Sequence, residues 1–195
     1  MILHQIFLQV SDKTIEDYPC YIDGMNKWKL FCKEHGWEYM LHTEIDTSIM
    51  TSDEIDICNQ GTKRYPFYPV DYYRYIFLDH YGGLYVDLDV SPTDKFKDIM
   101  DREIILPMGR ILNGTGNDFI KLSPDMATTL RHYATNQTKE KLNIKVYETW
   151  IKRFLLQSVG PSMMSRFIKL NNLTKYKIMV SDYCIDHATY SWENC

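Results

Sequence analysis

Asp87-Leu88-Asp89 sets two carboxylates two residues apart at the end of an apolar run that begins at Leu84. If that run is a strand, its period of two sends both carboxylates to one side and Leu88 to the other. Two such charges repel, and burial would raise their pKa values unless a cation lies near them. A divalent metal resolves the conflict. Hard oxygen ligands favour Mg or Mn, and a site with few protein ligands leaves positions for phosphate oxygens. The competing interpretation of so short a motif is a solvated turn carrying two unrelated acids.

The residues upstream bear on that choice. Asp71 and Arg74 are three apart on a predicted helix, so they share a face, with Asp71 in the first turn where the helix dipole favours an anion. Alone they would be a surface ion pair worth about 0.2–0.5 kcal/mol. Pro69 suits the first position of that helix, which should run through Val70, Tyr73, Ile76, Phe77 and His80 until Gly82-Gly83 ends it. Leu84 to Asp89 follows as a buried strand, broken at Ser91-Pro92.

Around this segment the chain alternates. Strands are predicted at Ile2 to Gln9, Trp37 to His42, near Ile104 to Pro107, Phe119 to Leu122 and Tyr176 to Val180. Helices are predicted over Ile22 to His35, Pro124 to Tyr133, about Val146 to Gln157, and Ser162 to Leu170, with Gly36 and Gly160-Pro161 as stops. Thr51 with Glu54 three residues on reads as a capping box opening a short helix in the polar stretch Thr43 to Arg64. This order favours an α/β sheet covered on both faces, and ligands of open α/β sheets bind beyond the carboxyl ends of the strands.

Composition narrows the classes. The 195 residues, 45% hydrophobic and 25% charged with net charge -4, suit one domain, residues 1–195, with a core of its own. The 22 basic against 26 acidic residues give no footprint for a nucleic-acid backbone. Cys20, Cys32, Cys58, Cys184 and Cys195 include no C-x-x-C pair and read as reduced thiols. The first ten residues lack the basic flank of a signal peptide, and no apolar stretch reaches the ~20 residues a bilayer span needs. A soluble or cytoplasmic location is therefore expected. The N-x-T triplets at Asn113, Asn136 and Asn172 then carry no glycan.

The stretch from Asp71 and Arg74 through Gly82-Gly83-Leu84-Tyr85-Val86-Asp87-Leu88-Asp89 resembles the glycosyltransferases with a sugar-binding region containing the D-x-D motif. That group includes yeast initiating α-mannosyltransferases and, more distantly, bacterial glucosylating toxins. Leu3-His4-Gln5-Ile6-Phe7 is similar to the family's I-H-Q-I-W opening strand, with Phe7 for Trp. Val159-Gly160-Pro161 resembles its T-G-P turn, and His187 through Ser191-Trp192 its H-x-x-x-S-W close. The resemblance implies a GT-A fold, Rossmann-like, with a central mostly parallel sheet flanked by helices. It also implies transfer of a sugar from a nucleotide-sugar donor, a UDP-sugar ahead of a GDP-sugar, to a glycan or glycoprotein acceptor, with Mn or Mg and with retention.

By that resemblance Asp89 would ligate the metal, and Asp87 would contact the ribose or hold the metal through water. Asp71 and Arg74 would bind donor-sugar hydroxyls, Phe7 would stack on the base, Gln5 and Ile6 would join it in binding the donor, and Tyr85 would pack on the nucleoside. Asn117 would lie on the sugar or acceptor side. His187 and Ser191 would complete the metal shell or touch the diphosphate, and the Trp192 N–H would donate to the leaving oxygen. No nucleophile stands out, which favours same-face attack by the acceptor hydroxyl. Two rival expectations stand beside this one. Asp87-x-Asp89-x-Ser91 with Asp182 and Asp186 imitates a haloacid-dehalogenase-like phosphatase in which Asp87 is the nucleophile, and a binding module could keep the pocket without turnover.

Overall fold

The computed structural model describes residues 1–9, 12–108, 116–142 and 157–186. The helix expected over about 146–157, all but its last residue, and the motif at His187, Ser191 and Trp192 lie outside the described residues.

Four strands form the main sheet in the order β2 (Glu38–His42), β1 (Ile2–Ile6), β3 (Leu84–Val86), β6 (Phe119–Lys121). β1 runs parallel to both β2 and β3, and β6 is antiparallel to β3, so the sheet is mostly parallel as its α/β sequence pattern implies. Period-two alternation divides the core. Leu3, Leu84 and Val86 face α1 (Pro19–His35), where Trp28 and Phe31 cover them, while Ile6 and Tyr85 face α3 (Tyr68–Tyr81). Behind α3 lie α2 (Ser52–Arg64), α4 (Pro124–Leu142) and α5 (Pro161–Leu170). The sheet is thus sandwiched between helical layers.

The local signals explain most boundaries. Thr51 and Glu54 form the expected capping box at the start of α2. Gly82 and Gly83 both hold positive φ after α3, and a Cβ on Gly83 would lie 2.2 Å from the Ile2 carbonyl oxygen. Glycine is what allows β3 to enter the sheet beside β1 immediately after the helix.

Three expectations need correction. The strand at Leu84 stops at Val86, and Asp87-Leu88-Asp89 forms a turn leading to β4 (Val90–Pro92), so Ser91-Pro92 continues the chain as a strand. β4 pairs with β8 (Cys184–Asp186), which the polar composition of the tail concealed. α4 extends nine residues beyond Tyr133, to Leu142, because Thr135 and Thr138 do not end it. Both return their hydroxyls to carbonyls four residues back and meet Tyr72 and Tyr68 in the core, each at 2.8 Å. β5 (Leu106–Pro107) and β7 (Lys177–Ile178) make a second short parallel pair. Cys20 is disulfide-bonded, against the expectation of five thiols, while Cys32, Cys58 and Cys184 are free and buried.

Candidate active site

The helix that leads into the sheet and the turn that leaves it meet at Arg74. This residue is only 3% exposed, and its guanidinium joins three segments. Nη2 lies 2.8 Å from Asp71 Oδ1 on its own helix, and Nη1 lies 3.3 Å from Asp87 Oδ1 in the turn. Nη1 also donates to the Asn117 carbonyl, and Nε to the Val70 carbonyl at 3.3 Å. Asn117 closes the ring by donating its side-chain amide to Asp71 Oδ1 at 2.8 Å. The guanidinium lies over the Tyr85 ring, 4.5 Å from its centroid, and the Tyr85 hydroxyl donates to Asp87 Oδ1.

This arrangement is more than the surface ion pair considered above. Burial opposes the Arg74 charge, but Tyr85, Asp87 and Asp71 outweigh it and hold the guanidinium protonated. Burial pushes the Asp71 carboxyl above the ordinary range; Arg74 counters that push and the Asp87 charge adds to it. Two carboxylates, those of Asp71 and Asp87, thus share the one guanidinium.

The aspartate turn is held from behind. The Asp87 N–H donates to the Asp118 carbonyl at 2.8 Å, and the Val90 N–H to the Asp87 carbonyl at 3.2 Å. Leu88 is buried with Tyr21 and Met25 of α1, and its carbonyl presses on the face of Gly24. The buried Trp28 indole donates to the Val90 carbonyl at 2.7 Å. Leu88 therefore faces the core as expected, though a turn and not a strand puts it there. Asp87 keeps 31% side-chain exposure, and both bonds to its carboxylate described above fall on Oδ1. Tyr21 feels both acids: burial first, then the charges of Asp89 and Asp87, raise its phenol pKa.

Among the described residues no three metal-ligating side chains cluster. Two carboxylates on a partly exposed turn still fit a Mg- or Mn-type ion, which is bound through one or two carboxylates with substrate phosphates and water filling the other positions.

Other predicted site residues fall in two groups. Asp71, Arg74, Tyr85, Asp87 and Asn117 come together in one bonded cluster. Gln5 and Ile6 are buried in β1, and Phe7 lies half-buried just beyond it, its ring 6.2 Å from that of Tyr18, which stacks on Tyr21 at 4.8 Å. Tyr85 is 1% exposed, so it supports Arg74 and Asp87 from beneath and does not offer a face to a nucleoside. Ser91 is buried in β4, which takes its hydroxyl away from the surface a phosphatase would need. Gly24, Trp28 and Tyr39 were not singled out from the sequence; only the packing of α1 and β2 on the turn identifies them.

Residues 15–106 match the family model described as glycosyltransferase sugar-binding region containing DXD motif. Inositol phosphoceramide mannosyltransferase 1 of Schizosaccharomyces pombe is 26% identical over 135 residues, covering 68% of this chain. The chain spans 40% of that relative's length. Among solved structures, PaToxG glycosyltransferase superposes with a TM-score of 0.58 at 10% identity, covering 87% of this chain and 69% of that one. At that identity the likeness speaks for the fold, which is that of a GT-A glycosyltransferase.

Proposed function

We propose, from the match of residues 15–106 to the glycosyltransferase sugar-binding region containing DXD motif, that the chain moves a sugar from a nucleotide-diphosphate sugar to a glycan or protein-linked acceptor, with retention. The observation that carries this reading is the closed ring of Asp71, Arg74 and Asn117, with Asp87 joined to Arg74, beside a partly exposed aspartate turn. Asp89 and Asp87 would hold Mn or Mg, with His187 as the further ligand expected from the sequence. A bound divalent cation supplies Lewis-acid stabilisation to the departing diphosphate.

The chain's own groups do the positioning. Arg74 is almost fully engaged with the protein, so it fixes Asp71 and Asp87 more than it reaches substrate. Asp71, partly exposed, would accept from a hydroxyl of the donor sugar, with Asn117 setting its orientation. Orientation of this kind lowers the entropic part of the barrier. Phe7 would stack on the base, with Tyr18 behind it, and Trp192 and Ser191 would meet the leaving phosphate. The acceptor hydroxyl would attack the anomeric carbon on the face the diphosphate leaves, with the leaving phosphate oxygen taking its proton. A UDP-sugar is the favoured donor. The fission-yeast relative's name makes mannose, and an inositol phosphoceramide acceptor, the second set to try.

The test is incubation of the purified protein with UDP- and GDP-sugars and Mn or Mg, reading nucleoside diphosphate release and the anomeric configuration of the product. Metal-dependent release from one donor class, lost in Asp89→Ala, is the expected result. Release of inorganic phosphate from a general phosphatase substrate through a phosphorylated Asp87 would replace this reading with the phosphatase.

A further inference from the structure

We infer that Tyr39 is a positioning residue for the aspartate turn, acting through the Gln5 side-chain amide on the backbone carbonyl of Asp87; the inference rests on the reading that this turn carries the divalent cation. Tyr39 lies opposite Leu3 in the β1–β2 register, so it is the diagonal neighbour of Gln5 on the same sheet face. Its hydroxyl donates to Gln5 Oε1 at 2.8 Å, and Gln5 Nε2 donates to the Asp87 carbonyl at 3.1 Å. That carbonyl is also the acceptor that closes the turn from the Val90 N–H.

The relay has a direction. A primary amide can rotate by half a turn and present its oxygen where its NH2 had been. Gln5 is wholly buried, and because the Asp87 carbonyl can only accept, the NH2 must face it, which turns Oε1 to the tyrosine O–H. Without that hydroxyl the buried Oε1 would lose its donor, the amide would no longer be held from behind, and the turn's link to β1 would weaken. Burial raises the Tyr39 phenol pKa, so it stays a neutral donor across the working range. The other holds on the turn act elsewhere: Gly24 lies under Leu88, and Trp28 binds Val90. The relay therefore controls the carbonyl at the first aspartate itself. Gln5, expected among the donor-binding residues, directs its buried amide to the aspartate turn.

Tyr39→Phe keeps the ring and removes only the hydroxyl. It should weaken Mn binding, measured with the metal alone, by about 10-fold, and Gln5→Leu should weaken it by about 10- to 100-fold. The double variant should bind no worse than Gln5→Leu, since both changes break one chain of bonds. Amide hydrogen exchange at Val90, which needs no metal, should quicken about fivefold in Tyr39→Phe, while the unfolding midpoint without metal falls by only about 2–4 °C. Unchanged Val90 exchange, or losses of Mn affinity that add in the double variant, would overturn the relay. A wild-type protein that binds no Mn would overturn the metal reading instead, and Val90 exchange alone then decides the relay.

Discussion

Gly24→Ala separates the geometry of the aspartate turn from the stability of the fold. A Cβ built on Gly24 would lie 2.4 Å from the Leu88 carbonyl oxygen, against 3.4 Å where ordinary contact begins. The obstacle is backbone, not a side chain that can swing away, so the turn must retreat from α1 by about 1 Å. The stability cost is small, because overpacking of about 1–3 kcal/mol is offset by about 1 kcal/mol of helix propensity gained on replacing glycine. The catalytic cost is larger, since a displacement of ~1 Å at a positioned group can lower the rate about 10²-fold. Donor turnover should therefore collapse while the melting temperature falls by a few degrees. Gly61→Ala is the control: its Cβ would lie 2.3 Å from the Tyr68 ring in the helical layer, so it should lose stability with little kinetic effect beyond the folded fraction. Equal losses of activity in the two variants after correction for folded protein, or full activity in Gly24→Ala, would refute the claim that α1 sets the turn.

Other outcomes follow from the same contacts. Arg131 on α4 joins Glu54 at 2.6 Å and Asp79 at 2.9 Å away from the aspartate turn, so Arg131→Met should cost about 3–5 kcal/mol in chemical denaturation and leave KM unchanged. Arg74→Met strands Asp71, whose carboxyl is already pushed up by burial; protonation relieves the stranded charge, so the destabilisation measured in urea should be smaller at pH 5 than at pH 8. His4 and His42 bond to each other at 3.0 Å, and burial lowers their pKa values to about 3 and about 4. They remain neutral in the fold while the unfolded chain takes up protons below about pH 6.5. Stability should thus be full above that value and fall by about 1.4 kcal/mol per pH unit for each histidine towards pH 4, which urea titrations at stepped pH would read. Replacing either by a residue that does not titrate should flatten that slope.

Much of this was legible before any coordinates. The helix from Pro69, the glycine pair that ends it, the Thr51 capping box and the Asp71–Arg74 pairing all rest on short-range chemistry that a single chain displays. Asp87 does meet Arg74, but not from within a strand. Alternation predicts a strand through Asp89, but the Asp87 carbonyl closes on the Val90 N–H, and β4 departs to pair with β8. That choice depends on a partner nearly a hundred residues away, which local pattern cannot show. Tyr39 and Gly24 were hidden for the same reason: one matters through a neighbouring strand, the other through a backbone that happens to cross it. The helix expected to stop at Tyr133 runs on because Thr135 and Thr138 bond to tyrosines of another helix, partners that local pattern does not display.

The most direct measurement is a thermal-shift comparison of UDP- and GDP-sugars with and without Mn, in the wild type and in Asp89→Ala. A ligand at about 100 times its Kd stabilises the fold by about 2.7 kcal/mol, a shift of several degrees for a chain of this size. The account predicts that shift for one nucleotide class only, only with Mn, and not in Asp89→Ala, whose midpoint without ligand stays close to wild type. A shift that persists without metal or in Asp89→Ala, or none with any nucleotide-sugar, would contradict it.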